Sequence, residues 1–236
     1  KKFDANDTLN QNLSRKLISK ELSVSTPDGF LERGSKTSKN SEILHSNAVS
    51  NSYTNYVYLV AGNGNAAFTG NGGDAKSASI NSPFDVHITT DGQVYIADNS
   101  NNRIRRVDAS GIISTFAGSS TTTGFSGDGG QATLARFNLP RAVIGDTTGV
   151  IYISDTVNHR IRAVATNGII NTYAGGGADT TSVVVAASSA TLVAPRGIFI
   201  DTAAVLYFAE SVGDTVRKIN LSNGIMTVVA GMINNG

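Results

Sequence analysis

Two matched stretches carry the residues best suited to chemistry: DNSNNRIR at 98–105 and DTVNHRIR at 155–162. In each, an Asp opens a loop and an Arg stands five residues on, Asp98 with Arg103 and Asp155 with Arg160. Such a pair is expected to close its loop through charge-assisted hydrogen bonds, holding the next strand in register. The recurrence favours this structural role, because a catalytic group has no need of a duplicate. The functional alternative is a rim on which Arg103, Arg160 and His159 join Arg141 and Arg196 in binding an anionic group.

A third stretch, GFSGDGGQA at 124–132, gathers Gly127, Asp128, Gly129 and Gly130. Phosphate-cradling loops need a following helix N-terminus or a lysine, and neither is present. A calcium loop needs carboxylates at alternating positions. Asp128 stands nearly alone, and its counterpart in GNGGDA at 70–75 is Asn71. The glycines are therefore expected to supply positive φ in a tight loop that only steers the chain.

Cysteine is absent, which excludes disulfides and Cys-ligated metal sites. No Ser-His-Asp or paired-carboxylate arrangement is legible, so no catalytic residue, cofactor or metal is assigned.

These residues are positioned by a repeat. Ala-Gly pairs at 61–62, 117–118, 174–175 and 230–231 are spaced 56, 57 and 56 apart. Pro83, Pro140 and Pro195 recur, as do Tyr95, Tyr152 and Tyr207, each set spaced 57 and then 55. Within a unit, runs such as AVIG, VIYIS, RIRAVA and IINTYAG are short, β-branched and bounded by turn residues, which predicts strands. Four short strands per unit of this length predict a propeller blade, which must stack on neighbours to hide its faces.

At this level of detail GFSGDGGQAxxARFxLPRxV, IYISDTVNHRIR and NGIINTYAG resemble the NHL repeat, the blade module of six-bladed propellers. The resemblance covers residues 57–231. It implies an all-β fold of four-stranded antiparallel blades, three of them here, as half of a six-bladed ring or an open array. Expected blade bounds are about 57–111, 112–168 and 169–224, with a closing outer strand at 225–229. An outer-type strand, YVYLV at 56–60, begins the series without a blade of its own. The third copy, ESVGDTVR at 210–217, departs from the pattern, with Glu210 for the Asp and Thr215 for the Arg. The resemblance also brings in a lyase type of NHL propeller that holds zinc through histidines. His87 and His159, the two histidines within the repeats, cannot make a three-His site. Some NHL propellers bind RNA. The repeats hold 11 Lys/Arg against 12 Asp/Glu and no Trp, which argues against a nucleic-acid footprint.

Residues 1–55 match no blade and read as an N-terminal arm or linker, with a short amphipathic helix at 9–22. The chain starts at Lys1 and has 236 residues with a formal net charge of +1. The start is expected of a processed product or an excerpt. No apolar stretch is long enough for a membrane helix. Sequons at Asn6, Asn12 and Asn220 mark candidate glycosylation sites if the chain is secreted.

The leading expectation is a non-enzymatic extracellular or cell-surface structural protein. Its blades and arm would associate with further copies, or with missing blades of the same protein, into a ring or filament. The alternatives are a ligand-binding propeller of a larger receptor that reads an anionic glycan or peptide, and a fragment of a propeller lyase.

Overall fold

A computed structural model of the chain describes residues 57–119 and 122–232. The chain divides into Lys1–Thr54 and Asn55–Gly236, and every described residue lies in the second unit. The expected helix at 9–22 lies outside the described residues.

Among the described residues fourteen strands form three antiparallel sheets. Blade one holds β1 (Pro83–Ile88), β2 (Val94–Asp98), β3 (Arg103–Val107) and β4 (Ile113–Ala117) in sequential order. A two-residue β5 (Gly130–Gln131) precedes blade two, which is β6 (Pro140–Gly145), β7 (Ile151–Asp155), β8 (Arg160–Val164) and β9 (Ile169–Ala174). β10 (Val184–Ala186) precedes blade three, made of β11 (Pro195–Ile200), β12 (Val205–Glu210), β13 (Thr215–Asn220) and β14 (Ile225–Ala230).

The expected blade bounds need a correction. The IISTF-type strand pairs with the strand before it, Val107 opposite Ile113 and Val164 opposite Ile170. It therefore ends its blade and does not begin the next. A tight turn joins the two: Asp108 Oδ1 accepts from the backbone N–H of Ser110 and of Ile112, at 2.9 and 3.0 Å. Asx turns of this kind make a hairpin the cheapest pairing available. The expected strand at 56–60 is also not formed among the described residues. Val57–Val60 lie outside the three sheets and are exposed, because this strand type needs a third strand ahead of it and none of the described residues supplies one.

Each inner strand opens at its proline, and the register shifts there, between Pro83 and Val86, Pro140 and Ala142, and Pro195 and Ile198. Proline cannot donate to a ladder, so the irregularity falls where the N–H is missing.

The core lies between the blades. Tyr95, Ala97, Ile104 and Ala117 of blade one meet Ala132, Ala135, Phe137, Val143, Ile153 and Ile170 at the first junction. At the second, Tyr152, Ile161 and Ala174 meet Ala187, Ala190, Leu192, Leu206 and Phe208. The loop through 61–80 lays Ala75 and Ala78 over Ile96, Val107 and Ile113 of blade one.

Candidate functional site

The glycine loop does more than steer. Gly127 has φ +97, and a Cβ there would stand 2.7 Å from the Cα of Ala135. Gly70 repeats the arrangement at φ +75, with its Cβ position 2.7 Å from the Cα of Ala78. The close approach lets Gly130–Gln131 pair with β9 and cover the outer edge of blade two, which protects an otherwise open edge. Gly129 at φ +79 faces open space, whereas Gly130 lies outside the left-handed region. Asp128 is engaged by the protein itself. Its two oxygens accept from Arg162 Nη2 and Thr172 Oγ1, both at 2.7 Å. Asn71 likewise accepts from Thr115 Oγ1 at 3.1 Å.

The expected pairing of Asp98 with Arg103 and of Asp155 with Arg160 is overturned. The ion pairs are Asp98–Arg105 and Asp155–Arg162, both at 3.4 Å with fully buried side chains. Asp98 and Arg103 do face each other across the ladder. The long arginine two residues on, however, lies diagonally within reach on the same face. Arg103 turns to the carbonyls of Gly118 and Ser119 at 2.7 and 3.1 Å, and Arg160 to that of Asn158 at 2.8 Å. Each carboxylate is held further by a backbone N–H, from Asn81 or Asn138 at 2.8 Å, and by Asn101 or Asn158. Burial pushes the Asp155 carboxyl up to about 6, outweighing these donors and Arg162, and Asp98 is raised for the same first cause. Phe68 lies under Arg103 and Arg105, at 4.0 and 4.7 Å from the ring centroid. Phe125 lies under Arg160 and Arg162 at the same distances.

Blade three keeps this clamp despite its altered sequence. Glu210 meets Arg217 at 2.9 Å and accepts from Thr215 Oγ1 and Val193 N–H, both at 2.6 Å. A signal for the true partner was present. Arg105, Arg162 and Arg217 recur in all three copies, whereas Arg103 and Arg160 become Thr215 in the third.

A second set of contacts joins loop to next blade. Asn102 and His159 both sit in left-handed conformation, φ 53 and 57. Asn102 Oδ1 accepts from Leu139 N–H at 2.9 Å, and His159 Nδ1 from Ala194 N–H at 3.0 Å. Beside them Asn99 Nδ2 and Thr156 Oγ1 donate to the carbonyls of Pro140 and Pro195, at 3.0 and 2.8 Å.

The proposed arginine rim is therefore not brought together whole. Arg103, Arg160 and His159 are committed to backbone groups or aromatic rings. Arg141 and Arg196 stand on adjacent inner strands, and among the described residues neither is ion-paired. Arg141 lies over Phe84 at 4.9 Å; burial and then the charge of Arg196 lower its affinity for the proton. Among the described residues no group of three His, Cys, Asp or Glu is placed to hold a metal. Of the sequons, Asn6 and Asn12 lie outside the described residues; Asn220 is exposed at the end of β13.

The end faces of the array repeat the buried junctions in exposed form. Val143 is 2% exposed against blade one, and its counterpart Val86 is 58% exposed. Ile104 and Ile161 are fully buried, and their counterpart Val216 is 37% exposed. Ala97, Ala117 and Ala174 are buried, whereas Ala209 and Ala230 are exposed.

Stacked four-stranded antiparallel blades joined by edge-covering loops define a β-propeller segment. A solved auxiliary nutrient binding protein from Bacteroides ovatus ATCC 8483 shares the fold, with a TM-score of 0.50 and 22% identity over 66% of this chain and 39% of that one. The family model of the teneurin NHL domain matches residues 57–126. Teneurin-1 of Mus musculus is 28% identical over 176 residues, 69% of this chain and 6% of that protein. Teneurin-4 of Homo sapiens is 33% identical over 105 residues, 39% of this chain and 4% of that protein. This chain thus matches only a small part of the relatives' length. Its blades are NHL repeats.

Proposed function

We propose that the chain is a non-enzymatic interaction module that associates blade to blade, outside the cell or at its surface. The outgoing face of blade three on one copy seats on the incoming face of blade one on the next. The observation that carries this reading is the residue-by-residue match between the end faces and the two buried junctions, with Val86 standing where Val143 is buried. The polar contacts match as well. Asp214 holds the left-handed position of Asn102 and His159, at φ 51, and Ser211 holds the position of Asn99 and Thr156. They are set to meet the N–H of Ser82 and the carbonyl of Pro83 of a second copy. Two copies would complete a six-bladed ring, and further copies a filament, with residues 1–55 as a bridging arm. The likeness to the teneurin NHL domain and the exposed sequon at Asn220 support the extracellular setting.

Light scattering of the purified chain tests the proposal. Association that is lost in Val86→Asp and in Val216→Asp is the expected result. A monodisperse monomer at tens of micromolar, roughly the range in which a standard interface is populated, overturns it.

A further inference from the structure

The two junctions between blades differ in the wedge on the side of the β1–β2 and β6–β7 turns. Between blades two and three it is filled. Ile144, Val150 and Ala163 of blade two and Ile200 and Leu221 of blade three all pack against the core there. At the first junction the same five positions hold His87, Gln93, Arg106, Gly145 and Thr166. Each exchange replaces hydrocarbon by a polar group or by nothing. The wedge there is open as a cleft of about 830 Å³, within the roughly 300–1,000 Å³ of small-molecule sites. The fold can close this space, as its neighbour does, and here it does not.

The chemistry of the walls narrows the occupant. Among the polar groups of the walls, amides and hydroxyls outnumber charges, with Gln93, Gln131, Thr133 and Thr166 among them and the edge-to-face pair Tyr95–Phe116 at 4.8 Å behind them. The charged groups are one arginine and two aspartates. Asp91 is engaged by Thr89 and by Gln93 Nε2. Asp146 is engaged by the N–H groups of Thr148 and Val150 in its own turn. Two carboxylates repel an anion, and a lone Arg106 does not outweigh them. Arg106 makes no ion pair among the described residues and stands in the cleft wall beside Tyr95. His87 is kept neutral by burial, which outweighs the charge of Asp85, so it offers both a donor and an acceptor. A ring of neutral donors and acceptors around a partly aromatic wall suits a ligand dense in hydroxyl groups.

We infer that the cleft between blades one and two binds an uncharged saccharide, with Arg106, His87, Gln93 and Gln131 as its hydrogen-bonding partners. This site is separate from the end faces and does not depend on blade-to-blade association.

The test is a glycan array carrying neutral, uronate-bearing and sulfated oligosaccharides, followed by saturation-transfer NMR titration of the hits. Neutral saccharides are expected among the binders. A Cβ on Gly145 would stand 3.0 Å from His87 Nε2, so the wedge is best filled by the double variant His87→Ile/Gly145→Ile, which copies the aliphatic character of the second junction. That variant is expected to lose about tenfold or more in affinity with circular dichroism unchanged, and Arg106→Ala several-fold, about what one or two buried hydrogen bonds supply. If the double variant does not fold, Arg106→Ala and Gln131→Ala carry the decision. Binding unchanged in the folded variants, binding confined to acidic glycans, or no saccharide bound at millimolar concentration overturns the inference.

Discussion

At the scale of the residue, the clamp in each loop separates two arginines that look alike in the sequence. Arg162 is buried between Asp155 and Asp128, whereas Arg160 lies over Phe125 and touches one carbonyl. Removing one partner of a buried pair leaves an uncompensated charge. Arg162→Met is therefore expected to lower stability by about 3–5 kcal/mol, and Arg160→Ala by about 1 kcal/mol; urea midpoints distinguish the two. Asp155 adds a pH signature. Its folded value of about 6 lies above the unfolded carboxyl at about 3.9, so the native state holds the proton more tightly. Its contribution is present below about pH 4 and is lost as pH rises through about 6, a change of about 3 kcal/mol. Asp155→Asn should flatten that part of the stability curve, and parallel curves for both proteins would contradict the assignment. The Asp and the loop were legible in the sequence, but the partner was misread. Adjacency in sequence favours Arg103, whereas a pleated strand puts Arg105 on the same face with a longer diagonal reach.

At the scale of the element, the glycine loops are edge covers fixed by close contact. Gly127→Ala must escape both φ +97 and a 2.7 Å approach to Ala135, whereas Gly129→Ala meets only its φ of +79 in open space. The first is expected to cost about 2 kcal/mol or more and the second about 1, read by thermal melts. The strands themselves were legible, because β-branched runs between Asp/Asn-Gly turns leave few other readings. Their grouping into blades was harder. Period alone marks the length of a unit and not where it starts, and only the hairpin turns at Asp108 and Ala165 decide that β4 and β9 close their sheets. The open cleft was not legible at all. Gly145 in place of Ile200 is unremarkable until the strands are stacked.

For the whole molecule, stability is spread along a stack in which each blade touches only its neighbours. Blade two is packed on both sides, by Val143 and Ile153 toward one neighbour and Tyr152 and Ile161 toward the other. In a single, unassociated copy amide exchange is accordingly expected to be slowest in β7 and β8, with β1 and β12 opening sooner. Equal protection across the three blades would mean that both end faces are covered in solution. The contacts between blades also run one way only. The left-handed residue of each loop accepts from the backbone just before the next blade's proline, as Asn102 does from Leu139 and His159 from Ala194, and among the described residues the reverse contact is not made. Any object built by adding such units has a leading and a trailing tip that are chemically distinct. A lone blade bearing only the leading surface would poison growth at one tip while the opposite tip kept elongating.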